Sequence, residues 1–136
     1  GEVTPDDLRA ILEGLDPRTG EPVIGYRKNA GFDLCLSAPK SVSLLWGLGD
    51  RATADQVVAA HDEAVLAALA YLEDAACTVR RGKGGTNHHR AAGLVSAAFR
   101  HRTSREADPQ LHTHLVTANM ALGPDGRWTA LHSADL

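Results

Sequence analysis

The stretch that decides the fold is residues 99–119, FRHRTSREADPQLHTHLVTAN. It reads as two strands around a polar turn. Before the turn, Val95, Ala97, Phe99 and His101 alternate with their neighbours and share one face of a strand. After it, His112 and His114 share one face, while Leu111, Thr113 and Leu115 take the other. Residues 103–109 form the loop, rich in charged and turn-forming residues. An antiparallel hairpin on this plan sets His101 across from His112 and His114. Cross-strand side chains lie about 5 Å apart at Cβ, so three imidazoles can close around one divalent ion. Neutral ligands leave that ion's charge uncompensated and coordination positions open, and an open cationic site polarises the oxygen it holds. Spacing alone does not choose the oxygen. An H-x-H pair with a distant third histidine also occurs in carbonic-anhydrase-like and cupin-like sites, so a three-histidine zinc hydrolase or lyase acting on a small molecule is the competing reading.

Charge distribution narrows the choice. The formal net charge is −3, which by itself does not favour a polyanion. Yet residues 78–105 contain Arg80, Arg81, Lys83, Arg90, Arg100, Arg102 and Arg105 and no acid. Such a local positive field suits a phosphodiester backbone. Arg80, Arg81, Lys83 and Arg90 are the candidate DNA contacts, with Lys40 and Ser41 weaker ones. Arg102 and Arg105 are either further contacts or salt-bridge partners for Glu106 and Asp108.

Residues 31–39, GFDLCLSAP, form another alternating strand. Phe32, Leu34 and Leu36 point one way; Asp33, Cys35 and Ser37 point the other. Asp33 is therefore the expected carboxylate behind a ligating histidine, which usually passes its other N–H to such an acceptor.

The remaining chain supplies helices. Thr4, Pro5 and Asp6–Asp7 start one that ends near Gly14. KSVSLLWGLGD reads as a short helix closed by Gly47 and Gly49. A long helix of about six turns opens at a Thr53–Gln56 capping box. Its apolar face holds Val57, Val58, His61, Val65, Ala68, Leu69 and Leu72. On that face His61 reads as a packed core residue and stays outside the site. Residues 16–31 read as loop with a short strand near residues 23–26, residues 78–93 as a loop or hairpin tip, and RWTALH as a further strand after the GPDG turn. The fold class is α+β, an antiparallel sheet with flanking helices.

At 136 residues the chain is the size of one domain, and 43% hydrophobic residues exclude a disordered chain. Cys35 and Cys77 are unpatterned, which argues against a disulfide framework or a cysteine zinc site and suits the cytoplasm. No apolar run is long enough for a membrane span, so no membrane partner is expected. The chain begins at Gly1, and SADL at its end reads as the start of another helix, so it is expected to be a piece of a longer protein.

Two motifs, GFDLCLSAPKSVSLLWGL and FRHRTSREADPQLHTHLVTANMA, resemble the relaxase domain of the MobF (TrwC/TraI-type) conjugative relaxases, of the HUH endonuclease superfamily. The resemblance extends over essentially the whole chain. It implies a DNA strand transferase in which a tyrosine attacks one phosphodiester at the nic site of a transfer origin. The tyrosine becomes joined to the 5′ phosphate and frees a 3′ hydroxyl. By motif match His101, His112 and His114 hold one divalent ion (Mg, Mn or Zn) on the scissile phosphate. Asp33 matches the catalytic aspartate, which orients a histidine or helps deprotonate the tyrosine. The implied fold is a five-stranded antiparallel sheet with helices. The implied partners are single-stranded DNA at a transfer origin and other relaxosome proteins, with the chain itself a monomer. The family's nucleophilic tyrosines lie upstream of the matched segment, and neither Tyr26 nor Tyr71 fits their motif. Residues 1–136 are thus expected to be a partial relaxase domain, incomplete at the N-terminus and inactive alone, with Tyr71 packing in the structure. An inactive DNA-binding remnant is the remaining alternative.

Overall fold

The computed structural model describes residues 2–132 and residue 134. The helix expected from SADL falls on residues 133–136 and so lies outside the described residues, apart from Ala134 in a turn. Among the described residues three α-helices, α1 (Pro5–Glu13), α2 (Lys40–Leu48) and α3 (Arg51–Ala75), accompany seven strands. These are β1 (Gly31–Ser37), β2 (Thr78–Arg81), β3 (Asn87–Arg90), β4 (Ser96–Thr103), β5 (Pro109–Ala118), β6 (Ala121–Leu122) and β7 (Trp128–Thr129). The architecture is α+β with antiparallel pairing, as the alternation patterns indicate.

The central sheet has the order β1-β5-β4. β5 lies in the middle, paired with β1 along one edge and β4 along the other; of its alternating side chains Leu111, Thr113, Leu115 and Thr117 are buried, while His112 and His114 face the other way. Where the resemblance implied five strands in one sheet, three join it among the described residues. β2 pairs with β3 and β6 with β7 as separate ribbons, linked by a bridge between Val79 and Leu131.

α2 and α3 cover the buried face. Leu111 packs with Ala38 and Val57, flanked by Val42 and Trp46. Two buried polar groups lock the layers. Leu111 N–H donates to Ser43 Oγ at 3.0 Å, and His61 Nε2 meets Thr113 Oγ1 at 2.9 Å. Each satisfies a group that would otherwise be desolvated without a partner. Arg100 on β4 adds an ion pair to Asp62 of α3, Nη1 to Oδ1 at 2.7 Å. A second core, Cys77, Val79, Ala121 and Leu131, sits under the ribbons.

α1 has the expected Thr4 N-cap, which Asp7 completes into a capping box, and ends at Gly14 with φ +87°. Three local readings change. Asp50, not Thr53, caps α3, accepting the Thr53 N–H at 2.8 Å, because a carboxylate three residues upstream competes for that donor. Residues 23–26 form no strand; only Leu15 and Pro22 bridge. Gly47 lies inside α2 instead of closing it, and a Cβ there would come within 2.8 Å of Pro109 Cγ. This glycine lets the helix sit against the first residue of β5. No described helix is long and apolar enough to cross a membrane.

Candidate metal centre

Register decides which side chains meet. In β4–β5, His101 stands directly opposite His112, and Phe99 opposite His114. In β1–β5, Cys35 stands opposite His114 and Ser37 opposite His112. Directly paired residues share a face, so Asp33, Cys35, Ser37, Phe99 and the three histidines occupy the side away from α2 and α3. Beyond His101 the register shifts: Thr103 pairs with Pro109, so two steps along β4 match three along β5. This irregularity bends the hairpin end beside the histidines. The turn closes through Ser104 N–H to Asp108 O at 3.0 Å, with Ala107 at φ +61°.

The three imidazoles form a near-equilateral triangle. Ring centroids lie 5.1 Å apart for His101–His112, 5.1 Å for His101–His114 and 5.2 Å for His112–His114. One ring nitrogen from each lies within 4.8 Å of the others. The hydrogen bonds of two rings select their neutral tautomers. His112 Nδ1 is 2.9 Å from the Gln110 carbonyl, which can only accept, so Nδ1 carries a proton and the neutral ring keeps its lone pair on Nε2. His114 Nδ1 lies 2.8 and 2.9 Å from the two Asp33 oxygens, with the same result. Both rings thus offer Nε2 as a donor atom, the arrangement a ligating histidine needs. The donor set, three imidazoles without a carboxylate or thiolate among them, suits a divalent ion that keeps positions for other ligands.

The triad borders a cavity of about 550 Å³ open to solvent. Cys35, Ser37, Thr103, Ser104, Arg105 and Gln110 complete its lining. Sequence reasoning placed Cys35 and Ser37 on the polar face but gave them no role. It left Arg105 undecided between a phosphate contact and a salt bridge; the structure places it on the cavity wall with the histidines. The acid it was matched with, Asp108, is held by Lys40, which also donates to Pro109 O at 3.0 Å. That contact holds the Asp108 carboxyl below its ordinary range.

The structure thus brings His101, His112, His114 and Asp33 together. It sets the candidate DNA-contacting residues elsewhere: none of Lys40, Arg80, Arg81, Lys83 or Arg90 lines the triad cavity. Arg80 and Lys83 are exposed on the β2–β3 ribbon. Arg90 is ion-paired with Asp74. Arg81 clamps one ribbon to the other, donating to Asp125 at 2.8 and 2.9 Å, Thr129 Oγ1 at 2.8 Å and Arg127 O at 3.2 Å. The Arg81 guanidinium holds the Asp125 carboxyl far below the usual carboxylate range. Neither tyrosine lines the cavity; Tyr26 is 96% exposed, and Tyr71, expected to pack, is 71% exposed because its position on α3 faces away from the sheet.

Comparison with known proteins follows the same geometry. The family model described as TrwC relaxase matches residues 1–136. Two Escherichia coli relatives, both named multifunctional conjugation protein TraI, are 38% and 40% identical over 137 residues, the second from strain K12. Each match covers 98% of this chain and 8% of the relative, so the chain spans under a tenth of their length. Among solved structures, conjugative relaxase TrwC in complex with a 27-mer DNA comprising the recognition hairpin and the cleavage site superposes with a TM-score of 0.84 at 38% identity, covering all of this chain and 49% of that one. A metal-bound TrwC complex with OriT DNA gives 0.83 at 39% identity, covering 98% and 47%.

Proposed function

Because this chain belongs to the TrwC relaxase family, we propose that it is the metal-binding core of a conjugative relaxase, which nicks and rejoins one DNA strand at a transfer origin. The observation that carries the reading is the histidine triangle with Asp33 behind it. A divalent ion held by His101, His112 and His114 supplies charge neutralisation at a phosphodiester in contact with it.

The chain's own residues do the rest. His112 and His114 present Nε2 because the Gln110 carbonyl and the Asp33 carboxylate hold their Nδ1 protons. Asp33 thereby fixes the orientation of one ligand and stabilises positive character on its ring. Arg105, on the cavity wall, adds a fixed cation for the phosphate's non-bridging oxygens. Arg80, Lys83, Arg90 and Lys40 serve the strand backbone farther out, with Arg81 organising the ribbon that carries Arg80. The nucleophile is a tyrosine outside these 136 residues, because neither Tyr26 nor Tyr71 borders the triad cavity. In this reading the chain acts as a monomer in the cytoplasm, on single-stranded transfer-origin DNA and beside other relaxosome proteins. The polar lining and the cavity-wall arginine favour a phosphodiester over the small-molecule substrate of a zinc hydrolase or lyase.

The test joins metal binding to chemistry. Calorimetric titration with Mn²⁺ or Zn²⁺ should give one site per chain, and His112→Ala should remove most of the binding. The 136-residue chain alone should form no covalent adduct with a nicked-origin oligonucleotide. Unchanged metal binding in His112→Ala would overturn the centre, and an adduct mapped to Tyr26 or Tyr71 would overturn the assignment of the nucleophile.

A further inference from the structure

The face that carries the triad also carries an aromatic side chain in solvent. Phe99 stands opposite His114, one cross-strand row beyond the His101–His112 pair. It is 38% exposed, and it belongs to neither core cluster. The buried leucines of the sheet, Leu111 and Leu115, lie on the opposite face. The ring therefore keeps a solvent-facing part beside Asp33, Cys35 and the imidazoles of the same sheet face. From the turn back into β4 the order is then Arg105 in the turn and Thr103 at the cavity, His101 at the triad, and Phe99 beyond it.

We propose that Phe99 is the stacking platform for the nucleobase adjoining the phosphate held at the triad, so that single-stranded DNA runs along β4 from the hairpin end toward Phe99. The inference rests on reading the triad as a phosphodiester site. Residues two apart on a strand are about 7 Å apart, a span that lets a nucleotide place its phosphate at His101 and its base over Phe99. An aromatic ring alone could equally meet a protein. Three imidazoles and a cation in line with it select a ligand that alternates anionic links with flat rings. Because every base has a π-face, the contact is sequence-tolerant; it positions the strand and leaves sequence choice to other contacts.

The experiment uses the intact protein that carries these residues, with Mn²⁺ present. The probes are short oligothymidylates with a single 2-aminopurine moved through each position. In the unsubstituted protein 2-aminopurine fluorescence should be quenched at one main position. Phe99→Leu, which keeps apolar bulk but removes the ring, should lose that quenching and weaken binding by about five- to 150-fold, the range for one stacked base. Phe99→Trp should restore both, and Mn²⁺ affinity should stay constant throughout. Unchanged quenching and affinity in Phe99→Leu overturns the proposal, as does a parallel fall in Mn²⁺ affinity, which would make Phe99 a support of the triad. His112→Ala separates the two readings. If it leaves oligothymidylate binding unchanged, the phosphodiester site itself is wrong; if it weakens binding while Phe99→Leu does not, only the stacking role fails.

Discussion

Asp33 grips His114 with both carboxylate oxygens, 2.8 and 2.9 Å from Nδ1, across a strand pair in which the two residues are diagonal neighbours. A symmetric acceptor of this kind fixes both the tautomer and the plane of the ring. Removing it frees the imidazole to rotate and lets the proton move to Nε2. Asp33→Ala should therefore lower Mn²⁺ or Zn²⁺ affinity by about 10- to 100-fold, the usual cost of losing a ligand's outer partner. Asp33→Asn keeps an acceptor oxygen but loses the charge, so its affinity should fall between the two. Isothermal titration decides it; equal affinity in all three proteins would show that His114 is oriented by something other than Asp33.

Metal should also stabilise the fold. The three ligands come from two strands of one hairpin, and unfolding separates them. An ion bound only by the folded chain adds stability by mass action, about 2.7 kcal/mol at a hundredfold excess over the dissociation constant. Thermal melts of the unsubstituted chain should rise with Mn²⁺ concentration. Those of His101→Ala should not, although without metal the two proteins should melt alike, because His101 is exposed. A metal-dependent rise that survives in His101→Ala would place the ion elsewhere.

How much of this could be read in the sequence depends on the range over which each feature is set. The hairpin, the shared face of His112 and His114 and the polar side of β1 follow from period-two alternation, which is local. Asp33 was placed near the histidines for the same reason. The direct opposition of His101 and His112 depends on register, and register here depends on turn length and on the irregularity between His101 and Thr103. That irregularity has no sequence signature, and the hairpin end beyond it carries Arg105, which lines the cavity. The roles of Arg81 and Lys40 were illegible for another reason. Their partners, Asp125 and Asp108, lie 44 and 68 residues away, and charge counting cannot tell a paired cation from a free one. The exposure of Tyr71 has a simpler reason: it lies off the apolar stripe of α3, whose Leu69 and Leu72 are part-buried as periodicity indicates while Tyr71 is exposed.

His61 illustrates a prediction that periodicity did support. It is 8% exposed, and burial pushes its imidazole below the ordinary histidine pKa. The unfolded chain therefore binds this proton more readily than the fold does. Its contribution to stability is complete above about pH 6.5 and is lost as pH falls from there toward the lowered folded value. Urea melts in the presence of a chelator should show stability declining across that window, and His61→Gln should flatten the decline. His61→Leu should cost about 1–3 kcal/mol, because Thr113, 3% exposed, loses the partner of its hydroxyl. A pH slope unchanged in His61→Gln would assign the proton to another group.

The Arg81–Asp125 clamp makes the opposite demand on pH and a local one on structure. Asp125 is held far below the ordinary carboxylate range, first by its hydrogen bonds to Arg81. With a depressed folded pKa, the stability it contributes is present above the unfolded value near 4 and disappears as pH falls through the folded one. The clamp should therefore stay intact throughout the neutral range and resist mild acid. Because Arg81 also reaches Thr129 and Arg127, Asp125→Ala should loosen the joint between the β2–β3 and β6–β7 ribbons while leaving β1, β4 and β5 protected. Hydrogen exchange at pH 7 should then show faster amides at residues 78–90 and 121–129 and unchanged ones at residues 111–117. Mn²⁺ affinity should be unaltered in the same variant, since the triad belongs to the central β1-β5-β4 sheet. DNA affinity should fall if Arg80 and Lys83 act from a rigid ribbon. Faster exchange spread evenly over both sheets would show that the ribbons and the metal-bearing sheet unfold as one unit, and that the clamp supports the centre after all.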